Sequence, residues 1–321
     1  MCASSGTAVA DQGPAEVAGR QSVDDAWWTG PLLASPGAAM PKGHLVIESY
    51  LFDEIDQAHY DDSGARDSVP RTDGFASQTY FFYGLTDTVT LGLADRFGYQ
   101  HPSQGPSSSR IGVGDTTVRA QWELAQWRAE RWVPTISLML AETLPTGRFD
   151  RLGARLSDGH GGGAHTMTVA LYSQRPFWLP TGRILRGRLN LAWSFSDPVD
   201  IQDASVYGTG NAFRGRATPG ETFEVDLGTE YSLSHQWVLA LDIYYLHGAS
   251  TAVLGSYPPA QGGPVVIVSD YSKPSRLLSV APAVEYNWNA SIGMIAGVLV
   301  PVSGRNTGAG YTPTIALNMA F

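Results

Sequence analysis

The chain has almost no cysteine, few charges for its length and no long apolar run, and each shortage removes a class of protein. Cys2 is the only cysteine among 321 residues, which excludes an internal disulfide and a thiolate metal site. Charged residues make up 16%, against about 25% in ordinary soluble domains. No stretch reaches the ~18 consecutive apolar residues of a transmembrane helix; 292–302 comes nearest. The net charge is −9, and no basic cluster is dense enough to track phosphates, so nucleic acid is excluded as a partner. Met1-Cys2-Ala3-Ser4-Ser5 shows neither the basic nor the apolar region of an export signal. We expect that start to be trimmed or misassigned. Cys2 followed by Ala3-Ser4-Ser5 also resembles the mature end of a bacterial lipoprotein, against the plainer reading of an incidental cysteine.

The chain is rich in glycine, with 36, and in aromatics, with 9 Trp, 14 Tyr and 11 Phe. It also alternates. In Tyr311–Phe321 the odd positions are Tyr311, Pro313, Ile315, Leu317, Met319 and Phe321, and the even ones are small or polar. Successive strand side chains point to opposite faces, so this strand has one greasy and one polar face. A strand of about ten residues with an apolar face and a terminal aromatic fits a membrane-spanning barrel. It resembles the closing strand by which the barrel-assembly machinery recognises outer-membrane proteins. A soluble sandwich or lipocalin-type barrel is the competing reading of this segment alone.

Eleven further segments alternate in the same way: 44–52, 75–85, 88–97, 112–125, 132–142, 164–174, 185–196, 221–233, 237–246, 276–288 and 291–300. The spacing predicts an all-β, antiparallel transmembrane barrel of about twelve strands over 44–321, with ten or fourteen as alternatives. Connections alternate long and short, matching long extracellular loops and short periplasmic turns. The even count returns both chain ends to the short-turn side. Residues 1–43 read as a flexible periplasmic lead-in or a plug tucked into the barrel mouth, with Trp27 and Trp28 as candidate anchors.

A charge facing lipid at mid-membrane costs roughly 2–4 kcal/mol. Glu48, Arg119, Glu123, Arg186, Arg188, Glu224, Asp226, Glu230, Asp242 and Glu285 are therefore expected to line the lumen. They would either tune a water-filled pore or cross-link a closed barrel; a barrel of this size fits either. Trp122, Trp193, Tyr231, Trp237, Tyr286, Trp288, Tyr311 and Phe321 are expected to form aromatic girdles against lipid and lipopolysaccharide.

Other chemistry is weak. Gly112-Val113-Gly114-Asp115 has the wrong spacing for a dinucleotide fingerprint. His160 and His165 flank three glycines, with no helix carrying a carboxylate and histidine to complete a metal site. Asp53, Glu54, Asp56, Asp61 and Asp62 could hold Ca²⁺ against lipopolysaccharide, but a solvated loop is the plainer reading. No Ser–His pair supports an esterase. We expect no enzyme, no cofactor and no metal.

Three segments carry a resemblance. They are Tyr83-Gly84-Leu85-Thr86-Asp87-Thr88-Val89-Thr90-Leu91, then Gly112-Val113-Gly114-Asp115-Thr116-Thr117-Val118, and Pro134 through Leu144-Pro145-Thr146-Gly147. In this order they resemble the outer-membrane barrel family named for the meta-pathway of phenol degradation. Thr29-Gly30-Pro31 and Pro41-Lys42-Gly43-His44 are similar to its approach to the first strand. The resemblance implies an outer-membrane barrel that takes up small, aromatic or other hydrophobic solutes, and it supplies no catalytic residues. A closed barrel acting through its extracellular loops, structural or adhesive, is the alternative.

Overall fold

The structure, a computed structural model, describes residues 19–259 and 263–321. Cys2 lies outside the described residues. Twelve long strands close into one antiparallel barrel: β1 (Leu45–Tyr60), β2 (Arg66–Thr86), β3 (Val89–Pro102), β4 (Thr116–Ala125), β5 (Thr135–Leu144), β6 (Thr166–Trp178), β7 (Ile184–Ser196), β8 (Thr222–Ser232), β9 (Trp237–Gly248), β10 (Ser275–Asn289), β11 (Ile292–Arg305) and β12 (Thr312–Ala320). Each strand pairs with its sequence neighbours. β1 pairs with both β2 and β12, Val46 opposite Ala320 and Phe52 opposite Thr314, so no edge is left open. Closure lets the backbone groups of the wall pair within it, as lipid requires.

The outward face is apolar. Leu91, Leu140, Leu171, Leu189, Leu227, Leu239, Leu241, Ile243 and Val284 are all exposed. Such a surface is far larger than the apolar patches soluble monomers tolerate. The twelve strands expected from the alternation are all present, but two readings need correction. Asp53–Gly74, read as a polar loop, is mostly strand: β1 continues to Tyr60 and β2 starts at Arg66. Only a tight turn separates them, where Ser63 N, Ser63 Oγ and Ala65 N donate to Asp61 Oδ1 at 2.7–2.8 Å. Beyond the membrane both strand faces meet water, so the apolar alternation stops while the strand goes on.

The long loops are also more ordered than their composition suggests. Val199–Gln202, Arg214–Thr218, Ala252–Tyr257 and Val266–Tyr271 form a separate four-stranded sheet. Its core packs Phe213, Ile201, Val199, Ala217 and Val253 with Ala164 and partly buried Phe149. Its strands belong to the long connections β7–β8 and β9–β10, at the end opposite the short turns.

Candidate functional site

The lumen is entered from the short-turn end by residues 19–43, an irregular stretch ahead of β1. Its irregularity is written in its prolines. Pro31, Pro36 and Pro41 recur every five residues, and each lacks the N–H that a ladder requires. Irregular backbone at membrane depth survives only where protein satisfies its polar groups. Here the lumen side chains do so. Thr29 N and Gly30 N donate to Glu285 Oε2 at 2.7 and 3.3 Å, and Ala34 N donates to Asp242 Oδ1 at 3.1 Å. Arg188 Nη1 donates to Ala34 O at 2.7 Å, and Asn190 Nδ2 to Ser35 O at 3.2 Å. On the far wall Gln121 Nε2 reaches Pro36 O, Ser137 Oγ reaches Gly37 O, and Ala39 N donates to Glu123 Oε2 at 2.8 Å. Met40 N then meets Thr90 Oγ1, and Gly43 N meets Gly84 O, bringing the chain to β1. Leu32 packs in the lumen against Ala240, Ala281, Ala283, Ile295 and Ala316.

The ten expected lumen charges share the inward parity of their strands, but they do not form one water-lined ring. Glu230 is fully buried and takes Arg186 in a bidentate pair at 2.5 and 2.6 Å, with Arg188 at 3.2 Å. Glu123, Arg188, Asp242 and Glu285 hold the entering segment, as above. Asp226 is buried, and Glu224 lies one inward step further along β8. Glu48 accepts from Asn318 Nδ2 at 2.7 Å. Arg119 stands over the rings of Phe82 and Tyr172, 4.9 and 5.6 Å from their centroids, and donates to Gln121 Oε1 at 3.1 Å.

Between residues 29–36 and the wall of β1 to β4 is a cavity of ≈ 270 Å³. Tyr50, Phe52, Tyr80 and Phe82 give it an aromatic side, with neighbouring centroids 5.7–5.8 Å apart. Arg96, paired with Glu54, lies above Phe52. Reading only charges as lumen markers misses these four rings. The signal was present in the parity: Tyr50 and Phe52 follow Glu48 at steps of two.

Of the aromatic residues expected at the girdles, Trp122, Trp193, Trp237, Trp288 and Phe321 are exposed, while Tyr231, Tyr286 and Tyr311 are half-buried. Trp237, Tyr286 and Trp288 cluster beside the β8–β9 and β10–β11 turns, with Tyr231 and Phe321 at the same end. Trp122 faces Val89 beside the β2–β3 turn. Trp193, packed on Phe195 and Phe223, and Tyr311 mark the long-loop end.

His160 and His165 do not meet. His165 Nδ1 contacts Glu142 Oε1 at 2.9 Å. The His160 ring fills the space over Gly98 and Gly112. Asp53, Glu54 and Asp56 lie along β1 rather than in a loop, Asp61 caps its own turn, and Asp62 takes Lys273 Nζ and Asn306 Nδ2. No cluster of carboxylates and histidines with metal-binding geometry occurs among the described residues.

A closed antiparallel barrel with an apolar outside, aromatic belts and a polar lumen belongs to the class of outer-membrane β-barrels. The chain belongs to the family described as "Putative MetA-pathway of phenol degradation", which matches residues 62–317. Its fold is similar to that of an outer membrane channel from Pseudomonas putida F1, with a TM-score of 0.68 at 15% identity, over 90% of this chain and 100% of that one. Weaker likenesses include the P. putida toluene transporter TodX, with a TM-score of 0.38 at 13% identity over 92% of this chain and 95% of that one. The translocator domain of the autotransporter NalP from Neisseria meningitidis gives 0.43 at 12% identity over 88% and 90%. No curated protein matches the chain in sequence.

Proposed function

We propose that this protein is an outer-membrane channel for small aromatic or otherwise hydrophobic solutes, with residues 19–43 as a plug across its lumen. The aromatic wall of Tyr50, Phe52, Tyr80 and Phe82, turned into a cavity inside the barrel, carries this reading. A barrel that served only as a lipid-anchored scaffold has no need of aromatic rings facing its own cavity. The family's name, drawn from phenol degradation, agrees with that chemistry. We assign the chain no catalytic step, cofactor or metal. Its site is the bacterial outer membrane, with lipopolysaccharide around the loops and β12 as the strand read by the assembly machinery. A closed structural or adhesive barrel acting through its loops is the second reading, favoured by the ordered loop sheet with its own core.

Planar-bilayer recordings separate the two. The refolded full chain is compared with Asp242→Ala/Glu285→Ala, which removes the carboxylates that accept Thr29, Gly30 and Ala34 N–H. A gated channel gives discrete steps that become larger or more frequent in the variant. Folded, inserted protein that stays silent in both forms establishes the closed barrel.

A further inference from the structure

The lumen cavity is more selective in chemistry than an aromatic lining alone requires. Its boundary carries three guanidinium groups, Arg96, Arg119 and Arg188, against one carboxylate, Glu48. Two of the three are matched. Arg96 pairs with Glu54, and Arg188 pairs with Glu230 and bonds Ala34 O. Arg119 has no carboxylate within 4.0 Å among the described residues; one of its N–H groups goes to Gln121 and its face rests on rings. An Arg fork presents five donors in a plane and matches a carboxylate in two parallel bonds. Nearby, the hydroxyls of Tyr50 and Tyr80 have no hydrogen-bond partner among the described residues, although both rings are packed edge to face at 5.8 Å. Both tyrosines line the cavity, and with the Arg119 guanidinium, which has no carboxylate partner, they offer a donor set that an anionic solute can meet.

We infer that this cavity binds a single-ring aromatic carboxylate, its ring against Tyr50, Phe52, Tyr80 and Phe82 and its carboxylate on Arg119 with the two phenols. The inference rests on the channel reading above and names the charge of its solute. Size agrees: a cavity of about 150 Å³ holds benzene, and ≈ 270 Å³ leaves room for a carboxylate and water. Charge agrees as well. A cationic ring would meet three guanidiniums and a single carboxylate, itself held by Asn318. A neutral ring would leave the Arg119 donors and both phenols unanswered, which is the situation that gives hydrogen-bonding sites their strong preferences.

The test uses the full refolded chain in detergent micelles at pH 7.5, with isothermal titration of benzoate, benzyl alcohol and benzylamine, three rings of similar size and different charge. Benzoate is expected to bind at least tenfold more tightly than either of the others. Arg119→Gln should weaken benzoate at least tenfold, and Tyr80→Phe, which removes one hydroxyl and keeps the ring, by a few fold. Heat-shifted gel mobility establishes that each variant is folded. Equal binding of benzoate and benzyl alcohol, a preference for benzylamine, or undiminished benzoate binding by folded Arg119→Gln overturns the anion inference and leaves the aromatic channel standing. Binding of none of the three overturns both.

Discussion

At the scale of single residues, the lumen is shaped as much by what is missing as by charge. A Cβ on Gly228 would fall 2.6 Å from Ala34 Cβ and 2.9 Å from Pro31 Cγ, and one on Gly84 would fall 2.0 Å from Pro41 O. Contacts this close force a shift, and Pro31 and Ala34 belong to the segment that can move. Gly228→Leu is therefore expected to displace the segment at 31–34 without breaking the β8 ladder, and, if that segment plugs the lumen as proposed, bilayer recordings should show larger or more frequent openings than in the native chain. A silent, folded Gly228→Leu would mean that the segment does not limit the pore. Glu230 answers a different question. Removing it leaves Arg186 and Arg188 buried without their shared carboxylate, a loss of about 3–5 kcal/mol. Glu230→Ala should accordingly lower the temperature at which the folded gel band is lost. Glu230→Ala melting like the native chain would show that water reaches and solvates these guanidiniums. The inward parity of Glu230, Arg186 and Arg188 was legible in the sequence. Their mutual pairing was not, because it depends on Gly187 of β7 lying opposite Thr229 of β8, a register that alternation alone does not fix.

At the scale of elements, two segments are held by bonds outside the barrel ladders. One is the plug. The other is the loop at 145–163, tied down by His160 N and Gly161 N to Arg148 O and by Asp115 to Gly147 N and Gly162 N. Desolvation pushes the His160 imidazole below its ordinary value, opposed by Asp158 and Glu54 and aided by Arg96. Its Nε2 is buried without a partner. The docked loop thus holds the neutral ring, while the released loop takes a proton once pH falls through about 6.5. Docking is complete above that value and weakens below it. Amide exchange in 145–163, corrected for intrinsic rate, should be faster at pH 5 than at pH 7.5, and His160→Gln should abolish the difference. An unchanged exchange rate would place the pH response elsewhere. Glycines outside this loop, at 98 and 112, make the room that His160 occupies.

At the scale of the molecule, the barrel divides its aromatics between two uses. Trp122, Trp193, Trp237 and Trp288 point outward and are 47–57% exposed, whereas the rings at 50, 52, 80 and 82 point inward. Outward tryptophans at strand ends belong at the lipid–water boundary. Brominated lipids should therefore quench tryptophan emission most strongly when the bromines sit near the headgroup. Stronger quenching by mid-chain bromines would put the belts at the wrong depth. The sequence by itself pointed to an antiparallel barrel of about twelve strands, with ten or fourteen left open, and to the apolar face of each strand as the one that meets lipid. Both follow from a period of two, and the cost of a charge in hydrocarbon leaves no other assignment of the faces. Where lipid ends, that cost ends too, so the extensions of β1 and β2 and the loop sheet had no periodicity to show them. Only the tertiary structure decided that Glu285, Asp242, Arg188 and Glu123 grip the segment before β1, and that Arg119, without a carboxylate partner, borders a cavity walled by four aromatic rings. Those partners are separated by tens to hundreds of residues, and they meet only once the barrel has closed around the segment.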